Sequence, residues 1–375
     1  MNRLVLIGNG FDLAHGLKTS YRDFLLWYWD QWGNRLLNSL ERTDTDGLCS
    51  FKIKDNVEVQ NWASVFQGWY YKRENPFIPW KTNDVINLAM KDRNLCDFDM
   101  SPFLTRIIKS YVAKKWVDIE NEYYLLLRLR NSPIKPSTEQ DIKDLNIHLN
   151  TIQFYLINYL RSEEEKETKI KDEIKDKIYR PIYNKEIAIA NQNFSSNRLS
   201  DTVPSSIMLL NFNYTNTLEQ YVNDTSKVKV NYIHGKLDNP ESVIFGYGDE
   251  LDAEYKKLQE LNENECLRHV KSIRYMESDR YRKVLEFIES APFQICIMGH
   301  SCGNSDRTLL NTLFEHKNCV SIKPYYHQKG ENDDNYIELV QNISRNFKDM
   351  KLMRDRVVNK TYCEPLTKKS IPRQK

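Results

Sequence analysis

The sequence predicts an α/β protein, in which a parallel β-sheet covered by helices is interrupted after its first β-α unit by a large helical insertion. Three observations predict this class. A short apolar run of β-strand type occupies residues 3–8, and comparable runs return only after residue 205. Helical patterns separate several of the later runs, and helical spacing dominates the long stretch in between. Strands that alternate with helices favour a parallel sheet with both faces covered.

The predicted strands are short apolar runs bounded by glycine, proline, asparagine or aspartate, and they are residues 3–8, 206–212, 228–235, 242–248, 293–299 and 319–324. Helix-like segments follow around 214–222, 278–290 and 305–315. Each run has the length that is typical of a strand in a buried sheet. The spacing therefore predicts consecutive β-α units after residue 205.

The long intervening region carries helical patterns. A pattern over 101–130 opens with Ser-Pro, and another over 137–160 opens with the capping signal Ser-Thr-Glu. The chain is therefore expected to contain a discontinuous α/β nucleotide-binding domain, a helical insertion domain and a basic C-terminal tail, with the bounds 1–32 plus 205–350, 33–204 and 351–375.

The composition excludes several classes of protein. The 54 Lys and Arg residues nearly balance the 52 Asp and Glu residues, so no net field attracts nucleic acid or anionic membrane. No apolar run approaches the about 18 residues of a membrane span. The 7 cysteines form no Cys-x-x-Cys pair, which favours reduced thiols over disulfides or a zinc site. We expect a cytoplasmic protein without a bound metal.

Glycines cluster at the predicted strand ends. Eight of the 12 glycines lie just beyond a predicted strand, namely Gly8, Gly10, Gly16, Gly235, Gly246, Gly248, Gly299 and Gly303. Open parallel sheets bind their ligands at this carboxyl edge. Gly8 and Gly10 would let a diphosphate approach backbone N–H groups, whereas Asp12 would repel phosphate. Asp12 is therefore expected to face ribose hydroxyls or a carboxamide, or to cap a helix.

Five blocks of the sequence carry a family resemblance. They are "LIGNGFDLAHGLKTSYRDF" from residue 6, "WVDIE" (116–120), "LLNFNYTNTLE" (209–219), "IHGKL" followed by "VIFGYGDE", and "IMGHSCGNSD", which contains Met298 and ends at Asp306. In these blocks the sequence resembles the AbiH family of bacterial phage abortive infection proteins. The blocks cover both ends of the chain and one place in the insertion.

The AbiH family in turn resembles the sirtuin-like, Rossmann-type NAD-binding fold. The resemblance places Gly8, Gly10, Gly16 and Leu17 on the glycines and aliphatic residue of the sirtuin opening, with His15 in place of a serine. It implies a catalytic asparagine at Asn213 and a catalytic histidine at His234. It also places Gly299, Ser301 and Asp306 on the segment that holds the adenosine half of NAD.

This resemblance implies a defence protein that hydrolyses NAD at the nicotinamide–ribose bond when triggered. The catalytic candidates are His234, Asn213 and Asp12. An imidazole can take a proton from water at neutral pH, and an asparagine can both donate to and accept from a ribose hydroxyl. The candidates for NAD binding are Gly8, Asn9, Gly10, Phe11, Thr215, Gly235, Gly299, Ser301 and Asp306. His15, Asp118 and Glu120 are further candidates.

The sequence departs from sirtuins at several positions. Thr215 replaces an aspartate, Lys18-Thr19 replaces Pro-Asp, and the zinc module is absent. These departures argue against deacylation and leave NAD hydrolysis, ADP-ribosyl transfer and nucleotide sensing open. His234 also fits a structural histidine at a strand end, and Asn213 also fits a turn former.

Two other classes of function stay open. "GHSCG" (299–303) matches the Gly-x-Ser-x-Gly motif, which makes Ser301 a candidate nucleophile of a serine hydrolase. Its partners would be His316 or His327 together with Asp306 or Glu315. A non-catalytic protein could instead bind a nucleotide or a phage component. All seven tryptophans lie before residue 117, and the insertion would be the surface for a phage protein trigger. A homo-oligomer is a further expected partner, with no surface assigned to it.

Overall fold

The computed structural model describes residues 1–71, 82–114, 117–188, 201–222 and 226–368. The chain forms two compact units. The first unit consists of Met1–Thr19 and Leu160–Lys375, and the second is Ser20–Tyr159.

The described elements alternate along the chain. The strands are β1 (Asn2–Ile7), β2 (Thr43–Thr45), β3 (Cys49–Ile53), β4 (Cys96–Met100), β5 (Ile207–Asn211), β6 (Val228–Tyr232), β7 (Phe293–Met298) and β8 (Cys319–Tyr325). The helices of the first half are α1 (Asn9–Ala14), α2 (Tyr21–Asn38), α3 (Trp62–Tyr71), α4 (Thr82–Lys91), α5 (Pro102–Lys114), α6 (Ile119–Leu127) and α7 (Glu139–Glu164). Those of the second half are α8 (Asp172–Tyr179), α9 (Ala253–Glu260), α10 (Asn264–Leu267), α11 (Lys271–Arg274), α12 (Arg280–Ser290), α13 (Arg307–Phe314), α14 (Tyr336–Arg345) and α15 (Met350–Arg356).

The first unit is built on a five-stranded sheet with the order β6-β5-β1-β7-β8. Every neighbouring pair in this sheet is parallel. Counted along the chain, the strands therefore stand in the order third, second, first, fourth, fifth. The predicted α/β class and parallel sheet are confirmed, and the direction of winding reverses beside β1.

The sheet is buried on both faces, as a parallel sheet requires. Leu4 and Leu6 of β1 pack into an apolar cluster on one face, which includes Phe287 of α12 and Leu310 of α13. Val5 and Ile7 pack into a second cluster on the other face. All six residues of β1 are buried, including Asn2 and Arg3, and the last four form a continuous apolar run.

The predicted strand at 242–248 is wrong. Its apolar side chains are buried, but the segment joins no sheet and makes only one isolated bridge, from Tyr247 to Val270. Gly246 lies against the backbone of His269, where a Cβ would come within 1.9 Å of the carbonyl oxygen. A buried apolar run has the same composition in a strand and in a tightly packed loop, so composition alone gave no distinction.

The second unit is not purely helical, as the insertion was predicted to be. It contains a three-stranded antiparallel sheet of order β2-β3-β4 alongside its helices. Phe51 of β3 and Phe98 of β4 are paired across this sheet, with ring centroids 4.5 Å apart. The predicted helical pattern over 101–130 is divided into α5 and α6.

The boundaries of the two units differ from the predicted domain bounds at 32/33 and 204/205. Helix α2 belongs to the second unit, and the segment from Leu160 to residue 204 belongs to the first. The aromatic face of α2 packs on α7 within the second unit, with Phe24 and Tyr159 at a centroid distance of 6.0 Å. Ile174 and Ile178 of α8 instead belong to an apolar cluster of the five-stranded sheet.

The region predicted as a basic tail, 351–375, is largely part of the first unit. It contains most of α15, and Leu366 is buried in the same apolar cluster as Ile178. Glu364 forms an ion pair with Arg180 at 2.6 Å. Residues 369–375 lie outside the described part of the chain.

Candidate functional site

Three glycines bring two loops into backbone contact at the carboxyl edge of the sheet. Gly8 and Gly10 follow β1, and Gly299 follows β7 with a φ of +77°. A Cβ on Gly299 would lie 2.1 Å from the Phe11 nitrogen, and one on Gly10 would lie 2.8 Å from the Gly299 Cα. No side chain fits at these positions, so the glycines are required for close approach of the two loops.

The amides of these glycines are already hydrogen-bonded. The Gly8 N–H donates to the Met298 carbonyl at 3.2 Å, and the Gly10 N–H donates to the Gly299 carbonyl at 2.8 Å. These two N–H groups are therefore bonded to the end of β7 and to the loop after it, and the diphosphate site expected near them stays a prediction. In this stretch the glycines serve packing.

Asp12 is a buried carboxylate on α1, with 2% of its surface exposed. The Thr215 hydroxyl donates to its Oδ2 at 2.6 Å, whereas its Oδ1 accepts no hydrogen bond from the described residues. Burial raises the pKa of Asp12 to about 6, and the hydrogen bond from Thr215 and the nearby Thr217 and Asn213 side chains oppose the increase. No cation of the described residues forms an ion pair with it, so this carboxylate depends on neutral donors.

Asp12 does not cap α1. The N-cap of this helix is Gly8, and no side chain caps it. Of the alternatives for Asp12, the helix cap is therefore excluded. The carboxylate instead joins α1 to the loop after β5, because Thr215 lies in that loop.

Asn213 lies in the same loop and contacts the first strand end. Its side-chain Nδ2 donates to the Gly8 carbonyl at 3.0 Å, and its backbone N–H donates to the side chain of Asn211 at 3.1 Å. Asn211 in turn donates to the Thr215 carbonyl at 3.1 Å. We call Asp12, Thr215, Asn213 and Asn211 the Asp12 cluster. It is a polar group that links the ends of β1 and β5.

A second cluster surrounds Asp306. Its Oδ1 lies 2.9 Å from the Lys271 ammonium and 3.2 Å from His234 Nε2. Its Oδ2 lies 3.6 Å from His300 Nε2. Tyr275 completes the group, with its hydroxyl 3.2 Å from His234 Nε2. We call these five residues the Asp306 cluster.

The charges of the Asp306 cluster are strongly coupled. Burial alone would raise the pKa of Asp306, but Lys271 and His234 hold it well below its usual range. Burial and the Lys271 charge lower the pKa of His234, while Asp306 raises it less. The cluster therefore contains an ionised carboxylate, an ammonium and a neutral imidazole at neutral pH.

The surroundings fix the proton positions on both rings. The Cys302 N–H donates to His300 Nδ1 at 3.0 Å, so the neutral ring carries its proton on Nε2. His234 presents Nε2 to an ionised carboxylate, which can only accept, so its Nε2 also carries the proton. Nδ1 of His234 is then the nitrogen that can accept a proton.

Phe212 lies between the two clusters. Its ring centroid is 4.1 Å from that of His300 and 5.4 Å from that of His234. Asn213 follows directly in the chain and belongs to the Asp12 cluster. A Cβ on Gly8 would meet the His300 Cα at 2.5 Å, so the backbones at the ends of β1 and β7 also touch. The predicted residues Asp12, Asn213, His234 and Asp306 are thus brought to one edge of the sheet.

Other predicted residues of the first unit have structural contacts. His15 contacts the Phe11 carbonyl through Nδ1 and the Tyr221 hydroxyl through Nε2, both at 2.7 Å. Phe11 is buried beside the His15 ring. Asn9 accepts a hydrogen bond from the Thr19 hydroxyl. Gly235 has a φ of +91°, and a Cβ there would lie 2.3 Å from the Ser242 carbonyl oxygen.

Ser301 does not have the geometry of a nucleophile elbow. Its side chain is exposed, and its hydroxyl forms no hydrogen bond with the described residues. The positive φ angles of this turn fall on Gly299 and Cys302 instead of the serine. His316 is bonded to Glu289, and Glu315 accepts hydrogen bonds from the backbone after α14. The contacts of the described residues assemble no catalytic triad around Ser301.

Asp118 and Glu120 belong to the second unit. Asp118 is the N-cap of α6, and its Oδ1 accepts from the Asn121 N–H at 3.0 Å. Glu120 is buried in the first turn of the same helix. Trp80 and Trp116 lie outside the described part of the chain.

Sequence reasoning missed Lys271, Tyr275 and His300. His300 stands inside the block "GHSCG", in which the family resemblance and the Gly-x-Ser-x-Gly motif point to Gly299 and Ser301 instead. Lys271 and Tyr275 lie in a stretch without a motif, each at the start of a short helical turn. The surrounding stretch mixes charged, polar, apolar and aromatic residues, so the sequence offered no signal that Lys271 is buried.

Within the described residues, no group of three or more histidine, cysteine, aspartate or glutamate side chains could hold a metal ion. No helix in the same residues is long and apolar enough to cross a membrane.

The fold and the site define an α/β protein with polar and titratable side chains at the carboxyl edge of a parallel sheet. The model of the family described as "Bacteriophage abortive infection AbiH" matches residues 4–327. The chain therefore belongs to the AbiH family, a family of bacteriophage abortive infection proteins. No curated protein matches the chain.

Proposed function

We propose that this AbiH protein acts in phage defence by hydrolysing NAD at the nicotinamide–ribose bond once it is triggered. The observation that carries the proposal is the His234–Asp306 contact of 3.2 Å at the carboxyl edge of the sheet. It presents a neutral imidazole, oriented by a carboxylate, where ligands of parallel sheets bind.

The topology supports a nucleotide site. The strand order third, second, first, fourth, fifth is that of the Rossmann-type doubly wound sheets. The winding reverses beside β1, and the loops after β1, β5, β6 and β7 carry the two clusters. More specifically, we propose that NAD binds at this edge of the sheet in a sirtuin-like site.

The Asp12 cluster suits the sugar rather than the phosphates. The Asp12 carboxylate has one oxygen without a hydrogen bond, which can accept a hydrogen bond from a sugar hydroxyl. Its negative charge repels a phosphate. Asn213 offers an amide next to it, at the end of β5. Since the Gly8 and Gly10 amides are bonded to the end of β7 and the loop after it, the diphosphate would take its N–H donors from other residues.

The chemistry that these residues would perform is a displacement at the ribose. The bond between ribose C1′ and the pyridinium nitrogen breaks, and nicotinamide leaves as a neutral base. The transition state has oxocarbenium character, as in other glycosidic cleavages. A water oxygen bonds to C1′, and His234 Nδ1 takes the proton of that water. His234 is only 3% exposed, which fits a protein that is inactive before the trigger opens the site.

The test is nicotinamide release from NAD by the purified protein, together with cellular NAD during phage infection. Wild type is compared with His234→Ala and Asn213→Ala. We expect His234→Ala to lose release by at least about 100-fold, the usual contribution of a general base. Asn213→Ala should also lower release, because it removes the amide that is proposed to hold the ribose. His316→Ala is the matched control, because His316 is paired with Glu289 away from both clusters.

The outcome in cells separates the two remaining classes of function. If NAD falls in infected cells with wild type and not with His234→Ala, hydrolysis stands. Persistent protection by both variants with constant NAD would overturn it and favour a non-catalytic nucleotide sensor. Formation of ADP-ribosylated protein instead of free ADP-ribose would identify the transferase form of the same chemistry.

A further inference from the structure

Lys271 is a charged side chain held almost completely inside the protein. It begins α11, has 1% of its surface exposed, and places its ammonium 2.9 Å from Asp306 Oδ1. That same oxygen is the one that faces His234. A lysine is almost never buried to this degree unless it is paired.

The backbone fixes this lysine in place. The Lys271 N–H donates to the Tyr247 carbonyl at 2.9 Å, and the preceding Val270 forms a bridge with Tyr247. The Tyr247 N–H donates to the His269 carbonyl at 3.0 Å. Lys271 therefore enters the cluster from a bonded segment, and its side chain has a set direction.

The charge count around His234 depends on this lysine. The groups that face His234 are Asp306, Lys271, His300 and Tyr275, and Asp306 is the only carboxylate among them. Lys271 and Asp306 together carry no net charge. A proton on His234 would then leave an unbalanced positive charge in a buried site, which is unfavourable. Without Lys271, the same proton would form a balanced imidazolium–carboxylate pair.

We propose that Lys271 is a positioning residue, which neutralises Asp306 and so keeps His234 uncharged. An uncharged imidazole is the form that can act as a general base. The role of His234 as a base rests on the proposed function, whereas the charge state itself does not. Lys271 acts through Asp306 and His234, without a contact to substrate of its own.

The test is an NMR pH titration of the histidine ring signals, with the His234 signal assigned by its loss in His234→Gln. In wild type we expect the midpoint of His234 below 6.5, the value of a free imidazole. In Lys271→Met the midpoint should rise by at least about one pH unit, a tenfold gain in proton affinity. Lys271→Arg keeps the charge and should restore a low midpoint.

Lys323→Met is the matched control, because Lys323 is also buried and paired, in its case with Glu186. It should leave the His234 midpoint unchanged. An equal midpoint in wild type and Lys271→Met overturns the proposal. If Lys271→Met does not fold, the wild-type titration still decides, because a midpoint above 6.5 would mean that the carboxylate governs His234.

The catalytic readout separates this inference from the proposed function. If the protein releases nicotinamide, the acid limb of its kcat/KM profile should move up by about one pH unit in Lys271→Met, with KM for NAD little changed. If no nicotinamide is released under any condition, the proposed function fails, and the NMR titration alone settles the role of Lys271.

Discussion

Two buried aspartates stand at the same edge of the sheet and have opposite electrostatics. Asp306 contacts the Lys271 ammonium at 2.9 Å, and its pKa is held well below the usual range despite burial. Asp12 accepts from the Thr215 hydroxyl in place of a cation, and burial raises its pKa to about 6. Both are almost inaccessible to solvent.

The difference shows that burial by itself does not determine the charge of a carboxyl group. The partner does. Asp306 is a fixed anion whose charge organises the residues around it, whereas Asp12 changes its charge near neutral pH. In our proposal the first orients the base and the second binds sugar hydroxyls, which are roles that need these different properties.

The largest expected effect is at the backbone contact between the two clusters. Gly299→Ala places a Cβ 2.1 Å from the Phe11 nitrogen, on a residue whose φ is +77°. Overpacking and left-handed backbone strain together should lower the free energy of unfolding by on the order of 5 kcal/mol. Chemical denaturation of the purified variant measures this loss.

Gly16→Ala is the matched control for that substitution. Gly16 also has a positive φ, +89°, but nothing lies within 4 Å of its would-be Cβ. Only the backbone term remains, so we expect a loss of about 1 kcal/mol. Equal losses at the two glycines would show that the loops after β1 and β7 are not in close contact.

The second effect removes the charge of Asp306. Asp306→Asn keeps the shape of the side chain but leaves the Lys271 ammonium buried without its counter-charge. Breaking a buried ion pair in this way typically costs about 3–5 kcal/mol. We expect a corresponding fall in the free energy of unfolding at pH 7. A variant as stable as wild type would mean that Lys271 finds another partner.

The third substitution, Asp12→Asn, is expected to raise the free energy of unfolding instead of lowering it. The pKa of Asp12 is raised from 3.8 to about 6 on folding, so the folded state binds the proton more tightly than the unfolded state. Stability therefore falls as pH rises from 3.8 to about 6, and the full penalty of about 3 kcal/mol persists above this range. Asp12→Asn removes the charge, so we expect stability at pH 7 to increase by up to about 3 kcal/mol.

Denaturation of the wild type and Asp12→Asn at several pH values between 4 and 8 checks the sign. The gain of the variant should be small at pH 4 and reach its full value above pH 6, where the wild-type carboxyl is ionised. A variant that is less stable than wild type at pH 7 would show that the ionised carboxylate stabilises the fold.

Much of the first unit could be predicted from sequence, because buried parallel strands have a strong local signal. The runs that became β1, β5, β6, β7 and β8 are short, apolar and followed by glycine or polar residues. The run at 242–248 has the same signal and packs as a loop, because pairing with a neighbouring strand is a tertiary property. The small sheet of the second unit was not predicted, because its strands are short and contain several polar residues.

The site was predicted in part for a similar reason. His234, Asn213 and Asp306 stand in quoted blocks just after strands, so their shared edge follows from topology. Lys271 comes from a stretch without regular periodicity, and its partner Asp306 is 35 positions away. The role of the glycines was also missed, since a sequence shows where a Cβ is absent but not which backbone takes its space.

The smallest effect is expected at Ser301, which follows His300 directly in the chain but belongs to neither cluster. Its side chain is exposed, and its backbone carbonyl accepts a hydrogen bond from Asn342 that a substitution does not alter. Ser301→Ala should change the free energy of unfolding by less than about 0.5 kcal/mol, as exposed substitutions usually do. Phage protection and any nicotinamide release should also stay at the wild-type level. Loss of activity in a variant with unchanged stability would place Ser301 in the chemistry and would revive the serine hydrolase alternative.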